Sequence, residues 1–119
     1  MEYKYVPKQC EGPEASFEGY VMLKGLDFDK KMELLEQLSS EGLDFANIAE
    51  IAEKEPGKML GVLRRLVSET KDLWGACHLK DIKGEVELKS RQDVASYNRS
   101  HAILIDVAMH ALGGASLGN

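Results

Sequence analysis

Few side chains in this sequence could do chemistry, since its 119 residues hold only two cysteines and three histidines. Cys77 and His78 are neighbours, and neighbours on a strand point to opposite faces, so they would not share a metal or form a thiolate–imidazole pair. His101 and His110 lie nine residues apart on one predicted helix, more than two turns from each other. Cys10 stands alone near the start of the chain. We therefore predict no bound metal and no cysteine nucleophile.

Other sequence patterns that carry catalysis are also missing. Neither C-x-x-C nor H-E-x-x-H spacing occurs, and Gly113-Gly114 lacks the lysine and hydroxyl residues of a phosphate-binding loop. Glu50 and Glu53 fall on the expected solvent face of a helix, where carboxylates are common. The sequence thus predicts a protein that is not an enzyme, with no catalytic residues and no cofactor.

The composition indicates one small domain that must position these side chains. Hydrophobic residues make up 44% and charged residues 29%, a normal globular mix. The formal charge of −5 favours solubility and disfavours a broad phosphate-binding face. Met1 to Gln9 carries charges and no apolar run, and the apolar segment 102–112 is shorter than the roughly 20 residues of a membrane span. We expect a cytoplasmic protein without a signal peptide or membrane contact.

Hydrophobic periodicity predicts a mainly α fold with about four helices, a short N-terminal strand and a β-hairpin near residues 78–89. The strand covers 17–24, where aromatic and β-branched residues lie between two glycines. Lys83-Gly84 is the predicted turn of the hairpin. The predicted helices run from Asp27 or Asp29 to about Ser40, from Asp44 to about Lys54, from Lys58 to Trp74, and from an S-x-x-D capping box at Ser90 to Leu112.

Apolar residues at helical spacing predict which side of each helix faces the core. On the first helix these residues are Phe28, Met32, Leu35 and Leu38. On the last helix they are Val94, Tyr97, His101, Leu104, Ile105, Ala108 and Leu112.

The chain divides into three predicted parts. Residues 1–16 form an extended N-terminal arm, because prolines and glycines there block regular structure. Residues 17–112 form a single helical domain. Residues 113–119 begin with two glycines after the last helix, and we expect them to form a flexible C-terminal tail.

One pattern raises the alternative of a DNA-binding regulator. A helix ending near Glu55, a turn at Pro56-Gly57, the third helix and the hairpin follow the order of a winged helix-turn-helix. Basic residues outnumber acidic ones on the third helix, as on a recognition helix. Acidic residues dominate the preceding stretch, 41–55, and would repel the flanking phosphates. We therefore expect no specific nucleic-acid binding and keep the winged helix as the alternative.

Both ends of the chain resemble one protein family. The run Phe17–Lys24 (FEGYVMLK), followed by Phe28 at the start of a helix with two lysines and a glutamate, resembles the beginning of small tail assembly chaperones of long-tailed, siphovirus-type bacteriophages. The final helix, Tyr97 to Leu112, with the tail 113–119 after it, is similar to their C-terminal ends.

The resemblance implies a binding function without catalysis. Such chaperones bind the long helical tape measure protein and keep it soluble while the tail tube protein polymerises around it. They act in the cytoplasm of the bacterial host and are absent from the mature virion. The resemblance carries over no catalytic residue, and the residues that bind the partner remain to be identified.

The apolar content of the helices predicts self-association. Five methionines and many leucines in so short a chain leave more apolar surface than one core is expected to bury. A second copy is the nearest partner for that surplus, so we expect a dimer or a higher oligomer.

The resemblance also predicts a longer form of the protein. Chaperones of this kind are often made in two forms, the longer one when ribosomes slip back by one nucleotide near the end of the short frame. Leu117-Gly118-Asn119 permits a slippery heptamer, G-GGA-AAT or G-GGA-AAC, and a flexible tail suits a junction to an added domain. The nucleotide sequence tests this: without that heptamer and an open frame beyond it, the longer form does not exist.

Overall fold

Four strands of the computed structural model, which describes residues 1–41 and 48–112, form one antiparallel sheet. The sheet order follows the chain, β1-β2-β3-β4. The strands are β1 (Glu2–Tyr5), β2 (Phe17–Lys24), β3 (Trp74–Asp81) and β4 (Val86–Leu88). The helices are α1 (Phe28–Ser40), α2 (Ile48–Lys54), α3 (Pro56–Glu69), α4 (Arg91–Ser96) and α5 (His101–Ala111).

The predicted fold class is confirmed, because more of the described residues lie in helices than in strands. The predicted strand 17–24 and the hairpin around Lys83-Gly84 are both present as β2 and the β3–β4 pair. The first helix ends at Ser40 as predicted. The predicted beginning of the second helix, 44–47, and the predicted tail, 113–119, lie outside the described residues.

The sheet is larger than the sequence predicts, because the N-terminal arm contributes a strand. β1 pairs with β2 from Glu2↔Lys24 to Tyr5↔Val21, so regular structure precedes the first proline. The hydroxyl of Tyr5 donates to Asp106 at 3.0 Å, and its ring stacks on His110 with centroids 3.9 Å apart. The backbone N–H of Lys8 donates to the same carboxylate at 2.8 Å. These contacts attach β1 to α5, and they join residues about a hundred positions apart that no local pattern connects.

The third helix lies earlier in the chain than predicted. Pro56 does not end a helix but occupies the first turn of α3, where its missing N–H has no intrahelical acceptor. The helix ends at Glu69, and the Thr70 hydroxyl donates to the Leu66 carbonyl at 2.7 Å. A 3-10 turn follows, and Trp74 begins β3 instead of closing the helix. The predicted helix to Trp74 was therefore wrong at its C-terminal end.

The predicted last helix is divided in two. Ser90 caps α4 as predicted, accepting from the Asp93 N–H at 3.2 Å, while Asp93 accepts from the Lys89 N–H at 2.9 Å. The helix then breaks at Tyr97, whose φ of −98° and ψ of 110° are those of an extended residue. The Ser100 hydroxyl donates to the Val94 and Tyr97 carbonyls, so the break leaves those oxygens partnered.

The break brings donors to a buried carboxylate, that of Asp81 at the end of β3. Asp81 is fully buried, and it accepts hydrogen bonds from the Tyr97 hydroxyl, from Arg99 Nε at 2.8 Å and from the Lys83 N–H at 3.1 Å. Hydrogen bonds from the Tyr97 hydroxyl, then from the Gly84 backbone and from Arg99, lower the pKa of Asp81 to about 2 against the opposing effect of burial. A buried charge is tolerated only when it is partnered in this way.

Two hydrophobic clusters fill the space between these elements, and α5 contributes to both. The sheet core packs one face of the sheet against α4 and α5, and the helix core joins α1, α2, α3 and the end of α5. The sheet core consists of Phe17, Val21, Leu23, Cys77, Leu79, Leu88, Val94, Ile103 and Val107. The helix core consists of Leu34, Leu38, Ile51, Met59, Val62, Leu66, Ala108 and Leu112.

Gly19 permits the close approach of β2 and β3. Its φ is +114°, and a Cβ atom at this position would overlap the carbonyl oxygen of His78 on the neighbouring strand. Any other residue would force the central pair of strands apart.

We predict that Asp81→Asn lowers the melting temperature at pH 7, because an amide does not replace a carboxylate that accepts several hydrogen bonds. Since the folded pKa of Asp81 is depressed, its contribution to stability is complete above about pH 4 and is lost as the pH falls towards 2. Thermal melts of the wild type should show this loss, and melts of Asp81→Asn should be flatter over that range. Asp72→Asn, at an exposed position, is the control, and an equal effect of both substitutions would contradict the role of Asp81.

Candidate partner-binding groove

The helix α3 carries two apolar stripes, of which only one is fully buried in the core. Met59, Val62 and Leu66 are buried in the helix core. Leu60 lies on a neighbouring stripe, and its side chain is 66% exposed. Leu63 and Val67 continue this second stripe at helical spacing and are partly buried. α3 therefore presents an apolar wall beside the part of its surface that packs against the core.

α5 supplies the opposite wall. His101, Leu104 and Ile105 face Leu60, Leu63 and Val67 across a groove with a volume of about 430 Å³. Ala95, near the end of α4, and Arg64 of α3 complete the lining. Ile105 is 37% exposed, so each wall offers a large apolar side chain to solvent. We call this depression the α3–α5 groove.

The break after α4 explains why these α5 residues line a groove. An uninterrupted helix would continue the predicted stripe through His101, Leu104 and Ile105 into the core. The extended Tyr97 and the 3-10 turn 98–100 change the phase of the helix, so that Ile103 and Val107 are buried in their place. The predicted core stripe is therefore wrong at His101 and Ile105, which are exposed, and correct at Val94, Ala108 and Leu112, which are buried. Its other members, Tyr97 and Leu104, are partly buried and pack against the sheet core.

The polar groups at the groove are few and basic. The Nε2 of His101 lies 2.9 Å from the Ala95 carbonyl, which can only accept, so this nitrogen carries a proton. Arg64 forms no ion pair within the described residues, whereas its neighbour Arg65 pairs with Glu41 and Lys30 pairs with Glu69 at 3.4 Å. Arg64 is exposed at the rim of the groove, where a guanidinium can pair with a carboxylate on a bound partner.

A second depression lies over strands β2, β3 and β4 and has a larger volume, about 640 Å³. Its charged lining is balanced between two acids and two bases, and it contains none of the large hydrophobic side chains that are exposed. The charged residues are Glu18, Lys80, Glu87 and Lys89. We favour the α3–α5 groove, because apolar anchors with few polar groups are what a helix-binding site needs.

The residues first considered for chemistry lie in different places. Cys77 is buried in the sheet core, while His78 is exposed on the other face of the sheet, 4.9 Å from the Tyr20 ring. His110 contacts β1, and its Nε2 lies 2.9 Å from the Tyr3 hydroxyl. Cys10 packs at the edge of the sheet core. Within residues 1–41 and 48–112, no three histidine, cysteine or acidic side chains are placed to hold a metal ion.

Sequence reasoning did not identify the groove. The only local signal is that Leu60, Leu63 and Val67 recur at helical spacing beside the stripe of Met59, Val62 and Leu66. That pattern shows that a wide part of the α3 surface is apolar. It does not show that α5 covers only some of this apolar surface.

In comparisons with known proteins, no protein-family model, curated protein or solved structure matches the chain. Among the helices of the described residues, none is long and apolar enough to cross a membrane.

We predict that the Cys77 thiol is inert in the folded protein. Burial raises the pKa of Cys77 to about 12 and that of Cys10 to about 11, so both thiols stay protonated at neutral pH. In Cys10→Ala, the remaining Cys77 should react with a thiol reagent at pH 8 at least about 100-fold more slowly when folded than in denaturant. In Cys77→Ala, the half-buried Cys10 should react faster than Cys77 does. Rapid labelling of Cys77 in the folded chain would reveal an accessible thiolate and reopen the possibility of cysteine catalysis.

Proposed function

We propose that this protein is a tail assembly chaperone of a long-tailed bacteriophage, which binds the tape measure protein in the α3–α5 groove. The observation that carries the proposal is the groove itself, with Leu60 and Ile105 exposed on its two walls. The choice of the tape measure protein as the partner rests on the resemblance to this family, which is carried by the Phe17–Lys24 run and by the C-terminal helix.

The shape of the groove suits an amphipathic helix. Two helices form its walls, so a third helix can lay its apolar stripe between them as in other helix-in-groove complexes. Full burial of a leucine or isoleucine side chain from water contributes about 1.5–3 kcal/mol, and Leu60 and Ile105, which are 66% and 37% exposed, would each gain a fraction of that. Two such anchors give modest affinity after the cost of association, which suits a chaperone that must leave when the tube forms.

A long partner compensates for weak individual contacts. The tape measure protein of such phages is a long helical chain, so many copies of the chaperone can bind along it. Self-association of the chaperone would add avidity without any new contact to the partner. The net charge of −5 would then accumulate along the coated chain and keep it soluble until the tail tube protein displaces the chaperone.

The charges near the groove indicate which helices it prefers. Arg64 is the cation within the lining, and a glutamate or aspartate beside the apolar stripe of the partner would pair with it. A partner helix with a basic flank would meet Arg64 as a like charge and bind more weakly.

The winged-helix alternative has less support. Only Glu55 separates α2 from α3, whereas a helix-turn-helix uses a turn of three or four residues. The β3–β4 hairpin does not project as a wing, because β3 pairs with β2 from Phe17↔Asp81 to Leu23↔Trp74 inside the sheet. No specific DNA binding is therefore part of the proposal.

Leu60→Asp tests the groove, because Leu60 is exposed and its replacement should leave the fold intact. We expect peptides of about 20 residues from the helical repeats of the tape measure protein to bind the wild type, and to bind Leu60→Asp at least about 10-fold more weakly. Fluorescence anisotropy gives the affinities, and co-expression gives the soluble yield of the tape measure protein.

Ile82→Asp is the matched control, since Ile82 is 45% exposed in the hairpin and does not line the groove. It should bind the peptides like the wild type. Equal loss in both variants, or no binding by the wild type, would contradict the proposal.

A further inference from the structure

β1 forms one edge of the sheet. The strand order is β1-β2-β3-β4, and within residues 1–41 and 48–112 no strand lies beyond β1. In an antiparallel ladder, alternate residues direct their N–H and C=O groups away from the paired neighbour. Two of the four residues of β1 therefore offer backbone donors and acceptors to another strand.

Exposed hydrophobic side chains lie in β1 and directly beside it. Met1 is fully exposed, Tyr3 is 38% exposed and Val6 is 37% exposed, so three large hydrophobic residues lie in one short segment. Tyr3 and Tyr5 lie on the face that meets α5, where they contact His110. Lys4 lies on the open face, with its Nζ 4.5 Å from the centre of the Tyr20 ring.

We propose that β1 pairs with β1 of a second copy of this chain, in antiparallel orientation about a two-fold axis through the pair of Tyr3 residues. The two sheets then form one continuous sheet of eight strands, four from each copy. The interface is isologous, because each copy presents the same strand to the other.

Charge selects this register among those that keep the helices of both copies on the same side of the sheet. With Tyr3 opposite Tyr3, each Glu2 faces the Lys4 of the other copy, which gives two opposite-charge pairs across the strands. A slip of one pair in one direction places Glu2 opposite Glu2, and a slip in the other direction places Lys4 opposite Lys4. Both alternatives set like charges in contact.

The apolar face agrees with the same register. Met1 of one copy lies opposite Tyr5 of the other, and the two Tyr3 rings lie opposite each other. An aromatic pair with flanking apolar contacts stabilises antiparallel strands, and the pairing covers side chains that are exposed in the single chain.

The proposed dimer interface does not overlap the α3–α5 groove. β1 contacts α5 through Asp106 and His110, whereas His101, Leu104 and Ile105 face the groove. The dimer therefore does not depend on the proposed chaperone role, and loss of peptide binding in Leu60→Asp would not affect it.

Sedimentation velocity on the full chain, with any tag placed at the C-terminal end, tests the pairing. Strands of four residues bury little area, so we expect a weak dimer that forms at concentrations of roughly 10–500 µM. Lys4→Glu and Glu2→Lys each turn two opposite-charge pairs into like-charge pairs and should raise the dimer dissociation constant at least about 10-fold. The double variant Glu2→Lys/Lys4→Glu restores the opposite pairs and should return to within about 3-fold of the wild type.

Glu87→Lys is the control, because Glu87 lies on β4 at the other edge of the sheet and its change should leave dimerisation unaltered. A wild type that stays monomeric up to roughly 1 mM would overturn the proposal. Lys4 would then be a charge that prevents the edge strand from pairing with another chain. A dimer unaffected by either single reversal, or not restored by the double variant, would place the interface elsewhere.

Cross-linking gives an answer that does not rely on charge. Directly opposite residues of antiparallel strands have Cα atoms about 4.5–5.5 Å apart, within reach of a disulfide. Tyr3→Cys should therefore form a covalent dimer under mild oxidation, and the wild type, with Cys10 and Cys77 only, should not. Circular dichroism should show each variant folded, and a folded Tyr3→Cys chain that forms no covalent dimer would overturn the proposed register.

Discussion

The carboxylate of Asp81 is a buried charge, and the fold has to supply partners for it. It is fully buried where β3 meets the hairpin turn, so the chain must bring donors to it. The donors come from the turn and from Tyr97 and Arg99, which reach the carboxylate because the chain leaves the helical conformation at Tyr97. The same departure changes the phase and direction of α5. The partnering of this buried charge and the burial pattern of α5 therefore go together in the fold.

α5 connects this region to both hydrophobic cores and to the N-terminal segment. Ile103 and Val107 pack in the sheet core, Ala108 and Leu112 pack in the helix core, and Asp106 holds the N-terminal segment. Most of the surface of α5 is used by these contacts. The remaining residues, His101, Leu104 and Ile105, lie between α3 and solvent. The groove is thus a consequence of how α5 is shared, and its apolar walls are surface that neither core could cover.

Local patterns were sufficient for the elements that depend on neighbours in sequence. β2, the hairpin, α1 and the capping box at Ser90 follow from alternation, glycine positions and capping chemistry, and they lie close to where these patterns place them. The break at Tyr97 places its hydroxyl on a carboxylate sixteen residues earlier, a contact that no local pattern predicts. The strand β1 was not predicted for a similar reason, because its partner strand β2 and Asp106, which binds it, are distant in sequence. Phe28 and Met32 were predicted to face the core but are exposed, because the buried stripe of α1 runs through Leu34 and Leu38.

Gly19 sets a limit on how far sequences with this sheet can diverge. Its positive φ and the carbonyl of His78 beside it exclude every side chain, whereas the hydrophobic positions around it can exchange leucine, valine and isoleucine with small cost. Drift would therefore erase most of the similarity between two such chains long before it removed the glycine that follows Phe17 and Glu18. Distant relatives of this fold would then be recognised less by overall identity than by one glycine in the second strand, with a buried aromatic residue two places before it.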